Sequence, residues 1–494
     1  MNSFKKLWLI FLLFYFGLYI CMYLILHNRR NKIPAPKVLS MREKQFIKEV
    51  KIYRNLPMAS LMDRRKVDFW RRNQTCGLFP RFFDVKVTNT LWQKLNTSQG
   101  TVMLYAAYYD NRLSDQPMIR VIAAGRETNR LPPLLCHLWF EGIPTPFEVP
   151  VASGKYLVGD VVFKHWHPEM YLGHLLTCPI PKEIREKIPV IASLVASSCD
   201  KSYNALKVWN NRPKEMGDFA VCLKCLWSPF QENHVELAEW IELNLALGAS
   251  SIQIYVLAVM PKTMQLLDYY EQLGQVKVFK MEWPGSMPVT ETPVAQKWFH
   301  RNVTYIDASF ENFAYNDCLY RNIYSYKFLA VIDMDEVLMP VKHNSWPELF
   351  NAIIKEGKDP SDFPCLMFHH FYFFGNKTTN PSIGFKILDT DLRTDIVFPK
   401  GFQVKGFFNT QKVLIAFNHF HLGCISNGSC NVVHLDPDMG QLNHYRSTCV
   451  RVKVMTKAGC DQMKENLVLD TLASRFAAQI RPNVYEALAK ISSS

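Results

Sequence analysis

The sequence predicts an α/β protein with a mostly parallel sheet, preceded by a smaller β-rich domain and a single apolar N-terminal helix. Three observations support this prediction. Strand-like and helical segments alternate from residue 219 onward, short apolar runs separated by turns fill residues 76–212, and an uncharged, mostly apolar run extends from Leu7 to Leu26. Alternating strands and helices with buried apolar strands are typical of parallel sheets covered on both faces.

The overall composition is that of a folded protein. Of the 494 residues, 48% are hydrophobic and 20% are charged, and this length suits two or three domains. The formal net charge is +13, but the basic residues are enriched between Arg29 and Arg81 and form no dense stripe. We therefore expect dispersed surface charge and no nucleic-acid partner.

The run Leu7–Leu26 is long enough to cross a membrane as one helix. At about 1.5 Å per residue it spans a hydrocarbon core of roughly 30 Å. It exceeds the apolar region of a cleaved signal peptide and ends in His27-Asn28-Arg29-Arg30 instead of small residues. We expect an uncleaved signal anchor with residues 1–6 as a cytoplasmic tail, although basic residues flank both ends and do not set the orientation.

Two features favour a lumenal location for the rest of the chain, as in a single-pass type II membrane protein. Thirteen cysteines are many for a reducing compartment, and twelve of them follow Cys21. We expect most of these twelve to form disulfides, with Cys424–Cys430 and Cys449–Cys460 as local pairs, and we expect structural thiols or separate disulfides at Cys222 and Cys225. Five Asn-x-Ser/Thr sequons also lie downstream, at Asn73, Asn96, Asn302, Asn376 and Asn427.

The predicted domain order is a stem over residues 27–75, a β-rich lumenal domain over 76–212, a catalytic domain over 213–465 and a helical tail over 466–494. Within the catalytic domain, each predicted helix ends near a glycine or leads into the next strand. The predicted elements are strand Phe219–Trp227, helix His234–Leu247, strand Ser251–Val259, helix Lys262–Leu273, strand Gln275–Trp283, helix Phe310–Lys327 and strand Phe328–Ile332.

Asp333-Met334-Asp335-Glu336 follows the last of these strands. In α/β sheets, ligands bind beyond the carboxyl ends of the strands. Two carboxylates at such a position can share one Mn²⁺ or Mg²⁺ ion, with substrate phosphates as further ligands. Asp389-Thr390-Asp391 and Asp436-Pro437-Asp438 have the same spacing but follow no buried strand. We therefore expect a metal at Asp333 and Asp335, and solvated turn carboxylates at the other two places; a turn-capping role for Asp333 and Asp335 remains the alternative.

Several stretches together resemble glycosyltransferase family 92, a group of metazoan galactosyltransferases. They are Glu236–Glu242 with Leu247-Gly248-Ala249, Asn316–Arg321, Phe328–Glu336 and Asn443-His444-Tyr445-Arg446. The resemblance covers about residues 215–450. It implies a GT-A-type nucleotide-sugar-binding fold, UDP-galactose as donor, Mn²⁺, inversion at the transferred sugar and a Golgi location. It also implies an N-glycan acceptor ending in galactose or fucose, joined through a β-1,4 linkage.

The same resemblance implies a late histidine in the metal site. His419 follows the strand-like run Val413–Phe417 and is the first choice, with His421 as the alternative. A hydrogen-bonded structural histidine is an equal competitor. For the nucleotide, Trp227 and Glu232 are candidates by position in the first strand–helix loop.

Asp317 and Arg321 are further candidates for binding uracil or diphosphate, or they pair with each other four residues apart on a helix. An inverting transfer needs a general base, for which Glu336 and Asp395 are both open. Glu348 is excluded as a base because Ser345-Trp346-Pro347-Glu348 predicts a capping box. Two other interpretations of the whole chain remain: a membrane-anchored glycan-binding protein with an inactive transferase fold, and a transferase for another UDP-sugar.

Overall fold

The computed structural model describes residues 52–72, 74, 76–113, 115–125, 131–157, 171–285, 311–374, 384–425, 430–446 and 462–492. The chain divides into two units, Met1–Ile52 and Tyr53–Ser494. The predicted membrane span Leu7–Leu26 lies outside the described residues. Within the ranges that are described, no helix combines the length and the apolar character needed to cross a membrane.

Two short helices begin the second unit, α1 (Met58–Leu61) and α2 (Arg64–Arg71). The carboxylate of Asp63 accepts the Arg65 N–H at 3.0 Å and so caps α2. Trp70 is buried, and its indole donates to the carbonyl of Phe140 at 3.2 Å. Residues 53–72, which the sequence assigned to the stem, are therefore packed against the β-rich region.

The β-rich region forms a nine-stranded sheet in the order β5-β4-β8-β9-β2-β3-β7-β6, with β1 paired to β2. Its pairs are antiparallel except β2 with β9, which is parallel. Both faces of the long central strands are covered, since β3 is buried along its whole length. The strands are β1 (Gln93–Thr97), β2 (Gly100–Asp110), β3 (Met118–Gly125), β4 (Leu135–Trp139), β5 (Phe147–Pro150), β6 (Ser153–Tyr156), β7 (Leu172–Pro179), β8 (Ile191–Val195) and β9 (Leu206–Trp209).

The strands of the second sheet begin at residue 217 and alternate with helices along the chain, as the sequence predicts. Its first part is β10 (Gly217–Ser228), α3 (His234–Leu247), β11 (Ser251–Val259), α4 (Pro261–Gln272), β12 (Val276–Lys280), α5 (311–322) and β13 (Tyr326–Ile332). Its second part is β14 (Glu336–Pro340), α6 (Trp346–Lys355), β15 (Cys365–Phe373), β16 (Leu392–Thr394), β17 (Lys405–Asn409), β18 (Val433–His434), β19 (Gly440–Tyr445), β20 (Leu467–Leu469) and α7 (Ala477–Ser492).

The prediction of a mostly parallel sheet is wrong, because the second sheet is mixed. Its main path runs β12-β11-β10-β13-β17-β15-β16-β20. The first four of these strands are parallel, as expected from the crossover helices between them. β17 then pairs antiparallel with both β13 and β15, and β15 pairs parallel with β19. Among the described residues, α6 is the one α-helix between β13 and β19, so the regular alternation of strand and helix that predicts parallel pairing ends at β13.

Alternate residues of the parallel strands enter two different hydrophobic cores. In β10, Phe219 and Val221 pack with α3, α4, α6 and α7, whereas Ala220 packs with α5 and with strand β2 of the first sheet. This period of two is the geometry of a strand with both faces buried. α3 ends at Gly248, whose φ of 116° lies in the left-handed region that favours glycine. Both predictions, the helix and its glycine stop, are confirmed.

Four disulfides lie within the described residues: Cys76–Cys199, Cys136–Cys178, Cys222–Cys318 and Cys424–Cys430. They involve eight of the twelve cysteines after Cys21, which confirms that most of these cysteines are oxidised. The local pair Cys424–Cys430 is confirmed, and Cys449 and Cys460 lie outside the described residues. Cys222 bonds to α5 and not to Cys225, so the pair three residues apart is not one disulfide.

Candidate active site

The acidic motif Asp333–Glu336 directly follows β13, in the middle of the mixed sheet. β13 pairs parallel with β10 on one side and antiparallel with β17 on the other. A turn holds the motif, because the Asp333 N–H donates to Glu336 Oε2 at 3.0 Å and the Glu336 N–H donates to the Asp333 carbonyl at 3.1 Å. β14 then begins at Glu336. The motif therefore has the strand-end context on which its selection from the sequence depended.

Two lysines face the carboxylate of Asp333. Its Oδ2 lies 3.4 Å from Lys405 Nζ and 3.5 Å from Lys224 Nζ. Lys405 is completely buried in β17 and also lies 3.2 Å from Glu336 Oε2. Lys224, in β10, lies 2.6 Å from Glu311 Oε1. The acidic motif is thus part of a compact cluster of opposite charges.

These contacts decide the charge states of the cluster. Burial by itself raises the pKa of Asp333, but Lys224 and Lys405 hold that pKa well below its usual range. Burial by itself lowers the pKa of Lys405, but Asp333 and Glu336 raise it above its ordinary value. Asp333 is therefore a carboxylate and Lys405 an ammonium ion at neutral pH. Burial raises the pKa of Glu336, against the influence of Lys405.

The second carboxylate of the motif has different partners. Asp335 Oδ2 lies 3.2 Å from His444 Nε2 and 3.9 Å from Arg446 Nε. The backbone carbonyl of Asp335 accepts the Tyr445 N–H at 2.8 Å, which ties the motif to β19. Burial alone raises the pKa of Asp335, but the hydrogen bond from His444 lowers it. Behind His444, the Nε2 atom of His370 lies 2.8 Å from His444 Nδ1.

His419 lies at the tip of a tight turn next to this cluster. Isolated pairs between Val413 and Cys424 and between Ala416 and His421 close the turn, where the sequence predicted a strand over Val413–Phe417. His419 Nδ1 lies 3.2 Å from the Val404 carbonyl. A carbonyl only accepts, so Nδ1 donates and the lone pair is on Nε2. Burial, with Lys405, lowers the pKa of His419 to about 4, so the ring is neutral at physiological pH.

The residues of this cluster fit a divalent cation in their donor chemistry. Within the described part of the chain, Asp333 Oδ1 is a buried carboxylate oxygen without a hydrogen-bond partner, and such an atom is costly unless a cation or a donor reaches it. His419 has the neutral ring and the anchored Nδ1–H that histidine ligands of metals usually have. The ligand atoms of Asp333, Asp335 and His419 do not, however, gather within 4.8 Å of one another. His444 and Arg446 hold Oδ2 of Asp335 to one side, so Oδ1 is the oxygen that Asp335 would offer.

His421, the alternative metal ligand, belongs to a different cluster. Among the described residues, the group with ligand atoms within 4.8 Å is His421, Cys424 and Cys430. The two sulfurs form a disulfide and are not thiolates, so this group lacks the anionic ligands that a metal needs. His421 Nε2 lies 2.9 Å from Cys430 Sγ, and its Nδ1 lies 3.4 Å from the buried thiol of Cys365. This cluster fixes the turn that carries His419.

Asp317 and Arg321, two candidates for the nucleotide, are buried between the two sheets. Arg321 Nε donates to Asp317 Oδ2 at 2.7 Å, which is the pairing that the sequence left as the alternative. The hydroxyls of Tyr108 and Tyr255 also donate to the Asp317 carboxylate. The Arg321 guanidinium stacks over Trp209, with 4.1 Å between Cζ and the ring centroid. Their binding to a nucleotide stays a prediction, which this enclosed network does not favour.

Trp227 and Glu232 lie at the carboxyl end of β10, as expected. Trp227 is half-buried, with its ring centroid 6.3 Å from that of the half-exposed Phe230. Glu232 accepts the backbone N–H groups of Lys262 and Thr263 at 3.2 and 3.1 Å, so it caps the first turn of α4. The position of Trp227 is compatible with a nucleotide, whereas the oxygens of Glu232 already have protein donors. Both assignments stay predictions.

The remaining carboxylates occupy contrasting environments. Glu336, one candidate base, is enclosed by Lys405 and the Asp333 N–H, whereas Asp395, the other, is exposed just after β16. The solvated state predicted for Asp389 is wrong, because its mostly buried carboxylate pairs with Arg481. The prediction holds for Asp436, which is exposed and accepts the Asp438 N–H at 2.9 Å.

Five site residues have no counterpart in the sequence-based predictions: Lys224, Glu311, Lys405, His444 and Arg446. His444 and Arg446 belong to a stretch that the sequence singled out, but nothing there indicated a contact with Asp335. Lys224, Glu311 and Lys405 carried no local signal. Only their contacts in the folded chain identify them, directly with Asp333 for the two lysines and through Lys224 for Glu311.

Comparisons with known proteins bear on this site. A family model described as glycosyltransferase family 92 matches residues 217–480, which include the whole acidic cluster. A search of curated protein sequences gave no match. Among solved structures, the chain is similar to the crystal structure of S. aureus TarS 1-349, with a TM-score of 0.20, 10% identity, and 39% of this chain and 47% of that chain covered. The chain thus spans about half the length of that protein, and so low a score carries no argument.

Proposed function

The chain belongs to glycosyltransferase family 92, whose model matches more than half of its length, and on that premise we propose that it is an inverting, metal-dependent galactosyltransferase with a GT-A-type catalytic domain. The donor is UDP-galactose, and the acceptor is a terminal galactose or fucose of an N-glycan on a glycoprotein, joined through a β-1,4 linkage. The observation that carries the proposal is the strand-end carboxylate Asp333, which is ionised and has one buried oxygen without a hydrogen-bond partner among the described residues.

On the donor side, Asp333, Asp335 and His419 would hold Mn²⁺ or Mg²⁺. The ion would supply positive charge to the departing diphosphate. Lys224 and Lys405 keep Asp333 ionised, so that it can act as an anionic ligand. His444 holds one oxygen of Asp335 and leaves the other available. These residues therefore prepare the charge of the site before the donor arrives, which is the arrangement that gives electrostatic stabilisation its effect.

On the acceptor side, an inverting transfer needs a base for the attacking hydroxyl. Exposure favours Asp395, because an acceptor sugar can reach a carboxylate on an open loop. The carboxylate of Glu336 already accepts the Asp333 N–H and contacts Lys405, so it serves better to hold the motif in place. We expect Asp395→Asn to reduce the rate of transfer with little change in donor binding, and Glu336→Gln to destabilise the turn.

The experiment is a transfer assay with the full-length chain, purified in detergent from a eukaryotic secretory host. UDP-galactose and other UDP-sugars are compared with N-glycans ending in galactose or fucose, with Mn²⁺, with Mg²⁺ and with a chelator. The proposal expects transfer from UDP-galactose that the chelator abolishes. Transfer from another UDP-sugar would show that the donor assignment is wrong. Transfer that is unaffected by the chelator would show that the reaction does not need a metal.

Two variants separate an enzyme from a glycan-binding protein with an inactive transferase fold. Asp335→Asn keeps the shape of the side chain but removes the anionic charge, and we expect it to abolish transfer. Asp436→Asn is the matched control, since it changes the first residue of another Asp-x-Asp on an exposed turn. A parent chain that binds glycans, but gains no thermal stability from UDP with Mn²⁺ and transfers no sugar, would support the inactive fold.

The proposal also includes a location in the Golgi membrane, as a single-pass type II protein with a lumenal catalytic region. Its support is the apolar run Leu7–Leu26 in the sequence and the four disulfides of the described residues. Protease protection of the C-terminal region in sealed vesicles tests this topology. A C-terminal region that protease digests without detergent would contradict it.

A further inference from the structure

His370 is a buried histidine of β15 that reaches the acidic motif through a second histidine. Its Nε2 lies 2.8 Å from His444 Nδ1, and His444 Nε2 lies 3.2 Å from Asp335 Oδ2. The pairing of strands produces this chain of contacts. β19 pairs with β15, where His444 is opposite Tyr372, and with β14, where His444 is opposite Glu336.

The surroundings of His370 decide which of its nitrogens carries the proton. Its Nδ1 is buried, and none of the residues that the structure describes forms a hydrogen bond with it. The ring is enclosed by Tyr372, Phe398 and Phe402, at centroid distances of 4.4, 5.4 and 6.4 Å. Burial holds the pKa of His370 well below its usual value, so the ring is neutral and has a single N–H. Because a buried N–H without an acceptor is rarer than an acceptor without a donor, the proton belongs on Nε2.

This proton position determines the hydrogen bonds of His444. If His370 Nε2–H donates, then His444 Nδ1 must accept, since two N–H groups cannot share one hydrogen bond. Because Nδ1 accepts, the ring proton of His444 is on Nε2, where it donates to Asp335 Oδ2. The opposite tautomer would place a lone pair of His444 against the carboxylate and would leave an N–H of His370 without an acceptor among the described residues. The three residues therefore form a hydrogen-bond chain with one direction.

We propose that His370 is a positioning residue of the transfer reaction: by fixing the tautomer and ring orientation of His444, it holds Asp335 Oδ2 and leaves Oδ1 for the cation and the donor diphosphate. The proposal rests on the proposed function for its consequence, but not for the hydrogen bonds themselves. Outer partners of metal-binding groups typically contribute about 10–100-fold to affinity or activity. His370 has no predicted role in binding either sugar, so its effect must pass through His444.

Three variants of the full-length chain test the catalytic consequence. His370→Phe keeps a ring in the aromatic pocket but removes both nitrogens. His370→Gln keeps a donor N–H at about the reach of Nε2. The control is His369→Phe, which changes the preceding residue of β15, whose Nδ1 donates to the Phe398 carbonyl at 2.9 Å.

We expect His370→Phe to lose about 10–100-fold in kcat/KM for UDP-galactose, in line with the usual effect of such outer partners. His370→Gln should recover most of that loss. His369→Phe should keep a kcat/KM and a thermal stability close to those of the parent. Rescue by Gln is decisive, because a purely structural role for the ring would be served better by Phe. Activity of His370→Phe equal to that of His369→Phe would overturn the proposal.

A second measurement needs no activity. In the chain labelled with ¹⁵N-histidine, and without metal or donor, the two ring nitrogens of His444 report its tautomer; His444→Asn assigns the signals. We expect the Nε2–H form in the parent and in His370→Gln, and a mixture of both tautomers in His370→Phe. An Nδ1–H form in the parent, or an unchanged His444 in His370→Phe, would refute the proposal. A parent without transferase activity but with these signals would refute the proposed function alone.

Discussion

Replacing Lys405 with methionine tests the charge arrangement around the acidic motif. Lys405 is 1% exposed, and its Nζ lies 3.4 Å from Asp333 Oδ2, 3.2 Å from Glu336 Oε2 and 2.5 Å from Asn418 Oδ1. Methionine keeps most of the volume but removes the ammonium group, which leaves two buried carboxylates without their shared cation. Breaking a buried ion pair in this way costs about 3–5 kcal/mol. We expect a loss of this size in the free energy of unfolding.

The matched control is Lys327→Met, because Lys327 makes an ion pair on the surface. Its Nζ lies 2.8 Å from Asp218 Oδ1, and the two side chains are 55% and 57% exposed. Pairs of this kind contribute at most about 1 kcal/mol. Urea unfolding of the parent and both variants, without divalent cations and followed by circular dichroism, gives the comparison. A Lys405→Met chain no less stable than Lys327→Met would refute the charge assignment.

The same variant makes a separate prediction about metal binding. The ammonium group of Lys405 repels a divalent cation near Asp333, and Lys224, 3.5 Å from Asp333 Oδ2, still keeps Asp333 ionised when Lys405 is replaced, so Lys405→Met should bind Mn²⁺ more tightly than the parent does. At a free concentration of 100 times Kd, a ligand stabilises the folded state by about 2.7 kcal/mol. Addition of Mn²⁺ should therefore raise the melting temperature of Lys405→Met more than that of the parent. An equal or smaller increase would contradict a cation site at Asp333.

Three further predictions concern regions outside the acidic cluster. Burial raises the pKa of Asp110, but its arginine partners, Arg112 foremost, lower that pKa to about 2. The ionised carboxylate therefore stabilises the folded state fully above pH 4, and this contribution is lost as the pH falls towards 2. Asp110→Asn should lower the free energy of unfolding by about 2 kcal/mol at pH 6 and by almost nothing at pH 2. A chain with both Cys424→Ala and Cys430→Ala should keep its fold but bind Mn²⁺ more weakly than the parent. Titration calorimetry of the two chains measures the affinities, and equal affinities would contradict the prediction. Asn96 is exposed near the end of β1 and should carry an N-glycan, so Asn96→Gln should migrate faster than the parent before endoglycosidase treatment and equally after it.

The sequence predicts best those elements whose local pattern is complete. α3 has its predicted bounds, His234–Leu247, because an apolar stripe and a terminal glycine both indicate the same end. The predicted strands that correspond to β10–β13 are found for a similar reason, since each is an apolar run next to a predicted helix. The antiparallel strands after β13 are a different case. Whether β17 runs parallel or antiparallel to β13 depends on the path of the chain between them, which no local periodicity records.

The site shows the same division between local and distant information. Asp333 and Asp335 are adjacent to a recognisable strand, so their position at its end follows from the sequence. Lys405 and His444 reach them only through the pairing of β17 with β13 and of β19 with β14. A lysine at the start of a strand is ordinarily solvated, and nothing local indicates that this one is buried. The sequence therefore locates the acidic motif but not the cations that set its charge.

The pair Asp317 and Arg321 shows why one pattern can leave two interpretations open. Their spacing on a helix predicts mutual contact, and their place in the family resemblance also suggests a ligand. The structure adds the two tyrosines that donate to Asp317 and the tryptophan that covers Arg321. These partners come from both sheets, so only the packing of one sheet on the other shows that the pair is enclosed.

The central claim is that Asp333 and Asp335 form the metal and donor site of a glycosyltransferase. Its most direct test is transfer of galactose from UDP-galactose in the presence of Mn²⁺ by Asp333→Asn, Asp335→Asn and Asp436→Asn, with circular dichroism to check folding. Losing one well-placed electrostatic group typically costs about 10²–10³ in rate. We expect at least that loss in the first two variants and parental activity in the third. A folded Asp335→Asn chain with near-normal transfer, or an inactive Asp436→Asn chain, would contradict the claim.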